Sequence, residues 1–196
     1  MISMYKTLRP KALAAQILAG EVGVIPTDTL YGIVGSALNP VTVEKIYKLR
    51  RRDVNKPMIV LVGSVDDLGI LGIRINKFMR DFLQQYWPGA ISIVLPCRSK
   101  KLAYLHRGGE TLAVRLPKYP ELVKLLKITG PVVAPSANWA GEPPAATVRM
   151  AQKYFPGDLD FCVDVGKLNG KPSTLVKLDS AGRPEVIREG SVRIKM

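Results

Sequence analysis

Histidine and cysteine are nearly absent from this sequence. It holds one histidine, His106, and two cysteines, Cys97 and Cys162, among 196 residues. One His cannot supply a His-based metal cluster, and two isolated cysteines without a partner motif argue against a zinc site or a disulfide framework. Any Ser-His-Asp scheme would need His106, and no Gly-x-Ser-x-Gly elbow accompanies it. A lone His in a loop is expected to be an ordinary surface residue. Long apolar runs are missing too. No stretch of about 18 apolar residues occurs, so no membrane span is expected. The opening segment, MISMYKTLRPKALAAQILAGE, interrupts its short apolar stretch with Lys11 and Gln16, unlike a secretory leader. A cytoplasmic protein without membrane contact is the default expectation. Acidic residues are scarce, 16 against 29 Lys and Arg, leaving a net charge of +13. That balance fits an anionic partner, nucleic acid or nucleotide, and says nothing about fold. The usual phosphate loops are absent as well. There is no Gly-x-Gly-x-x-Gly, and Gly166 to Lys171, GKLNGK, is one residue short of a P-loop and continues with Pro172 instead of Ser or Thr.

What is present is enough for a core. Hydrophobic residues make up 47% of the chain, and this length commonly folds as one domain, here spanning residues 1–196. Pro10 to Ala19 reads as a helix, with Pro10 in its first turn and Leu13, Ile17 and Leu18 at helical spacing. Val22 to Pro26 and Tyr31 to Ala37 read as strands. Asn39-Pro40 starts a helix whose Val43, Ile46, Tyr47 and Arg50 share one face. The apolar run Pro57 to Gly63 reads as a buried strand. Asn76 to Tyr86 reads as a helix with Phe78, Phe82 and Leu83 inward. Strands at Ala90 to Pro96 and Thr111 to Leu116 follow, then a helix at Pro120 to Lys127, a strand at Pro131 to Ala134 and a helix at Thr147 to Tyr154. Phe161 to Val165, Ser173 to Lys177 and Pro184 to Arg188 read as closing strands. Helices and strands mix without strict alternation. The expected class is therefore α/β with a twisted sheet of parallel and antiparallel strands flanked by helices.

Four stretches carry candidate chemistry. KLRRRDVNKP, Lys48 to Pro57, puts five cations into nine residues. A solvated helix end welcomes such charge, but Arg50, Arg52 and Lys56 lead directly into an apolar strand, and Arg forks match phosphate oxygens. PTDTLYG, Pro26 to Gly32, gathers three hydroxyls and a carboxylate at a strand–loop–strand junction. Either it holds a small polar ligand or Thr27 and Asp28 bond to their own backbone. APSAN, Ala134 to Asn138, ends an apolar strand and runs into the rigid turn WAGEPP; it suits phosphate or a substrate carboxylate, or is a capped turn. In TLAVR, Thr111 to Arg115, an arginine on an otherwise apolar strand needs a partner or a function. Ser173 and Arg188 repeat the theme of a polar residue at a strand edge.

The ordered set PTDTLYG, KLRRRDVNKP, TLAVRLP, APSANWAGEPP, PSTLV and VIREG resembles the TsaC/YrdC family, the threonylcarbamoyl-AMP synthases. The resemblance runs from about Gly20 to about Val192 and fits the family's short form. It implies a YrdC-like α/β domain with a basic concave face. It also implies synthesis of L-threonylcarbamoyladenylate from L-threonine, bicarbonate and ATP, with pyrophosphate released and Mg2+ arriving with ATP. That intermediate feeds threonylcarbamoyladenosine modification of tRNA beside the anticodon, through downstream threonylcarbamoyl-transferase proteins. Carried over by position, Arg50, Arg52 and Lys56 hold the ATP phosphates, with Thr111, Ser136, Asn138, Pro144 and Arg188 completing the ATP site. Thr27, Thr29, Tyr31, Arg115, Ala134 and Ser173 hold threonine or its carbamate. No acid or base is implied. Arg50 departs from the family's usual Lys, which keeps the charge but adds a bidentate fork. The same charge balance also suits a non-catalytic RNA-binding module of the YrdC/YciO kind, acting on tRNA or other structured RNA. A carbamoyl-transferring domain of the hydrogenase-maturation type would bring zinc-finger-like cysteines, which are not here.

Overall fold

The computed structural model describes residues 2–179 and 181–194. Its strands are β1 (Ser3–Tyr5), β2 (Gly23–Pro26), β3 (Tyr31–Ser36), β4 (Val60–Leu61), β5 (Ile91–Pro96), β6 (Thr111–Arg115), β7 (Val132–Val133), β8 (Phe161–Val163), β9 (Thr174–Leu178) and β10 (Pro184–Arg188). The helices are α1 (Pro10–Leu18), α2 (Pro40–Leu49), α3 (Lys77–Tyr86), α4 (Ala103–His106), α5 (Pro120–Thr129) and α6 (Val148–Tyr154). Local chemistry sets their ends. The Asn39 side chain accepts from the N–H groups of Val41 and Thr42 to open α2, with Pro40 in the first turn. Asn76 accepts from Met79 N at the start of α3, and Thr147 from Met150 N at the start of α6.

The strands form one mixed sheet in the order β1-β8-β2-β3-β7-β4-β6-β5-β9-β10. β1 and β2 flank β8 in parallel, β4 runs parallel to β6 and β5 to β9, and the remaining pairs are antiparallel. The fold is α/β, as the sequence implies. Side-chain alternation divides the sheet between two cores. Val24, Ile33, Val60, Val114, Ile93 and Val176 face a large core completed by α2, α3 and α6. Ile25, Val34, Leu61, Val132 and Phe161 face the other way, against Leu13 and Ile17 of α1 and Leu122, Leu125 and Leu126 of α5. That second core includes no residue of β5, β6, β9 or β10. Among the described residues, the apolar core under α1 and α5 therefore does not extend to the strands that carry Thr111, Ala113 and Arg115, and the candidate site lies at its edge.

Several expectations are corrected. The apolar runs Pro57 to Gly63 and Pro131 to Ala134 contain ladders of only two residues each, Val60–Leu61 and Val132–Val133. Their apolarity reflects burial on both faces, not strand length, and the Lys56 and Pro57 carbonyls are bonded by the Arg52 side chain rather than by a neighbouring strand. Phe78 and Leu18 are exposed; α3 buries Met79, Phe82 and Leu83 instead. His106 is buried, not at the surface. It belongs to the short α4, where Nδ1 accepts from Gly108 N at 3.2 Å and leaves Nε2 to donate to Ser99 O at 3.2 Å. β1, outside the expected elements, extends the sheet beside β8. Among the described residues, no helix is long and apolar enough to cross a membrane.

Candidate functional site

A cavity of about 80 Å³ opens between the Thr27 to Gly32 segment, the ends of β6 and β7, and Pro172 and Ser173 just ahead of β9. At roughly 10–15 Å³ for each water, it has room for a ligand of amino-acid size. Thr27, Thr29, Tyr31, Arg115, Ala134, Ser136, Ser173 and Arg188 all line it. Residues from both ends of the chain thus meet at one point.

The Thr27 hydroxyl is engaged by its own loop. It donates to Leu30 O at 2.7 Å, and accepts from Thr29 N and Leu30 N at 3.1 and 3.2 Å. The turn reading is right for Thr27, and its hydroxyl also touches that of Thr29 at 3.0 Å. Asp28 does something else. It forms a buried ion pair with Arg115 Nη1 and accepts from Lys118 N at 2.9 Å. Asp28 is the partner that sequence reasoning missed; its signal was the arginine on an apolar strand. Arg115 keeps its Nε buried and without a hydrogen-bond partner, while its side chain lines the cavity. Burial lowers the Arg115 pKa, and the Asp28 charge and hydrogen bond oppose that shift.

Tyr31 is fully buried. Its hydroxyl donates to Gly166 O at 2.7 Å and accepts from Val165 N at 3.0 Å. It therefore ties the segment 165–173, which includes the abortive P-loop, to the wall of the cavity. The same segment crosses the Thr29 carbonyl at Gly170, where an added Cβ would overlap that oxygen. Burial is the main cause of the raised Tyr31 pKa, so the hydroxyl stays protonated at neutral pH. Tyr31→Phe is expected to lose about 1–3 kcal/mol, because the Val165 N–H and Gly166 carbonyl lose their shared partner. Urea unfolding measures it, and a midpoint unchanged from wild type would remove the tie.

The second half of the site is cationic. Arg50 caps α2 and is 4% exposed. Its Nε donates to Asn138 O at 3.1 Å, its Nη2 to Ser136 Oγ at 3.4 Å, and its Nη1 has no partner. Burial, with the Arg52 charge second, pushes its guanidinium down to about 10, still charged at neutral pH. Arg52 donates from Nε to Lys56 O and from Nη2 to Pro57 O, each at 2.9 Å. Arg188 donates from Nη2 to Ser173 O at 2.9 Å. Its pKa is lowered by burial first and then by the charges of Arg52 and Arg115. Arg50, Arg52 and Arg188 have no carboxylate partner among the described residues. Lys56 is exposed and reaches Asp53 at 3.7 Å.

Asn138 works as a turn-builder. Its Nδ2 donates to Trp139 O and Glu142 O, each at 2.7 Å, while Oδ1 is buried and unpartnered. Pro144 lies at the end of that turn, outside the cavity lining. Thr111 shares the open face with Arg115 but begins the strand, roughly 13 Å further along it. Of the residues singled out in the sequence, Arg50, Arg52, Lys56, Thr111, Asn138 and Pro144 are not in the cavity lining. Ser173 lines the cavity, with its hydroxyl 2.9 Å from that of Ser92. Leu30, Gly32, Ile59 and Pro172 complete the lining, and of these Ile59 carried no sequence signal beyond its apolarity.

The Sua5/YciO/YrdC family model, described as telomere recombination, matches residues 15–190. The chain is 31% identical over 182 residues to a threonylcarbamoyl-AMP synthase of Bacillus subtilis, covering 91% of this chain and 52% of that protein. It thus spans about half the length of that relative. Among solved structures it is similar to Pyrococcus abyssi Sua5 complexed with L-threonine, with a TM-score of 0.86 at 28% identity over 97% of this chain and 57% of the other. It is also similar to Escherichia coli YciO, with a TM-score of 0.86 at 20% identity over 100% of this chain and 98% of the other, a likeness of fold.

Proposed function

Since the chain belongs to the Sua5/YciO/YrdC family, we propose that it condenses L-threonine, bicarbonate and ATP into L-threonylcarbamoyladenylate and releases pyrophosphate. The observation that carries this reading is a set of guanidiniums without carboxylate partners among the described residues, Arg50 buried, Arg52 half-buried and Arg188 exposed at the rim, beside a cavity of amino-acid size. Burying a cation with no carboxylate partner, as at Arg50, is costly unless an anion joins it. Three forks at one site fit a triphosphate.

In this reading threonine occupies the cavity. Arg115, whose side chain lines the cavity, takes the threonine carboxylate, and the hydroxyls of Thr29, Ser136 and Ser173 hold the remaining polar atoms. The threonine amine captures CO₂ from bicarbonate as a carbamate. A carbamate oxygen then bonds to the α-phosphorus of ATP, and the bond to the bridging oxygen of pyrophosphate breaks. Positioning and stabilisation of the departing charge dominate such transfers. Arg50, Arg52 and Arg188 supply that charge, and Lys56 adds a mobile cation at the rim. The lining holds no carboxylate, and Asp28 is taken by Arg115 and Lys118. That donor set fits Mg2+ carried by the ATP phosphates, where it shares their charge, rather than a metal held by the protein.

The adenylate would serve threonylcarbamoyladenosine formation in tRNA, with separate transferase proteins completing the step. The test is pyrophosphate release from ATP by the purified protein, with threonine and bicarbonate supplied singly and together. Release that needs both is expected. Salt-dependent RNA binding with no turnover would replace this reading with a non-catalytic RNA-binding module.

A further inference from the structure

We infer that the stack of Arg51 on Trp139 is a latch that positions the neighbouring arginines Arg50 and Arg52, without itself touching substrate. The inference rests on the ATP reading above. Three consecutive arginines do three different things. Arg50 turns inward under the Ser136 to Asn138 segment. Arg52 folds back on the Lys56 and Pro57 carbonyls. Arg51 lies between them in the left-handed region, with φ of 51°, a conformation that a side chain rarely adopts.

The left-handed residue ends α2 and throws its own side chain elsewhere. The Arg51 guanidinium lies 3.5 Å from the Trp139 ring centroid. Trp139 in turn meets the Tyr154 ring edge-on at 5.4 Å, and the Tyr154 hydroxyl donates to Pro143 O at 2.9 Å. Two backbone links run beside the stack: Ala140 N donates to Arg50 O at 2.8 Å, and Arg50 Nε donates to Asn138 O. The end of α2 and the turn 138–143 are thereby fastened as one unit. A cation over an indole face is attractive and holds both partners in register. The strained backbone at Arg51 is retained because that register needs it.

Two variants isolate the latch. Arg51→Gly removes the stack and relaxes the left-handed residue, since glycine adopts that conformation freely. Trp139→Leu removes the aromatic face and no charge. Each is expected to weaken ATP binding by about tenfold in calorimetry. L-threonine affinity should hold, and the melting temperature of Arg51→Gly should be no lower than that of wild type. The two together should weaken binding no more than either alone, and Trp139→Phe should restore most of the affinity. A purely structural role would move the melting temperature and leave the ATP and threonine affinities in step. Wild-type ATP affinity in both variants overturns the latch alone, as does weakening by Arg51→Gly without any by Trp139→Leu, which would make Arg51 a plain charge. A wild-type protein that binds no ATP overturns the latch together with the functional reading.

Discussion

Arg52→Ala is expected to slow pyrophosphate release by at least about a hundredfold while the fold survives. Arg52 is already held in place by the Lys56 and Pro57 carbonyls, so in the proposed site its guanidinium would meet the phosphates without a search. Removing it costs little stability. Lys56 O retains its bond from the Tyr47 hydroxyl at 3.1 Å, and Pro57 is only half-buried. The deletion also relieves like-charge repulsion, because the Arg52 charge is one of the causes that lower the pKa of both Arg50 and Arg188. Thermal unfolding should shift by a few degrees at most. Steady-state kinetics beside a melting curve decide the matter. A folded variant turning over at the wild-type rate would remove Arg52 from the phosphate site.

The second large effect is on stability. Arg115→Met should destabilise the protein by about 3–5 kcal/mol, because it strands the Asp28 carboxylate in a buried site with only Lys118 N as partner. Adding Asp28→Asn should recover most of that loss, since a neutral amide no longer needs the cation. The double variant should nevertheless stay inactive, because Arg115 holds the substrate carboxylate in the proposed site. Recovery of stability without recovery of activity separates the two roles of one side chain. Equal midpoints for wild type and Arg115→Met in urea would show that the pair does not hold this loop.

The contrast between these residues shows how far the sequence could be read. The arginine on β6 announced its need of a partner, because a charge on an apolar strand must be satisfied. Which carboxylate satisfies it depends on tertiary contact between β6 and a loop 87 residues away. Asp28 was visible in PTDTLYG, but nothing local distinguished an inward carboxylate from a turn residue. In KLRRRDVNKP the charge density was plain. The division of labour was not, because it depends on one residue, Arg51, taking a left-handed conformation that arginine does not favour. The α/β class followed from the mix of helical and strand periods. Strand lengths did not: Pro57 to Gly63 and Pro131 to Ala134 are apolar because both faces of β4 and β7 are covered, and apolarity alone does not say where the ladder stops. Phe78 misled for a similar reason, since helical spacing fixes a face only once the neighbouring elements are known.

In the proposed reaction a carbamate, and not the threonine carboxylate, attacks ATP. Incubation with ATP, L-threonine and ¹³C-bicarbonate, followed by mass spectrometry of the adenylate, tests it most directly. An adenylate that contains threonine and one labelled carbon is expected. An unlabelled threonyl adenylate, or no adenylate from folded protein, would contradict it.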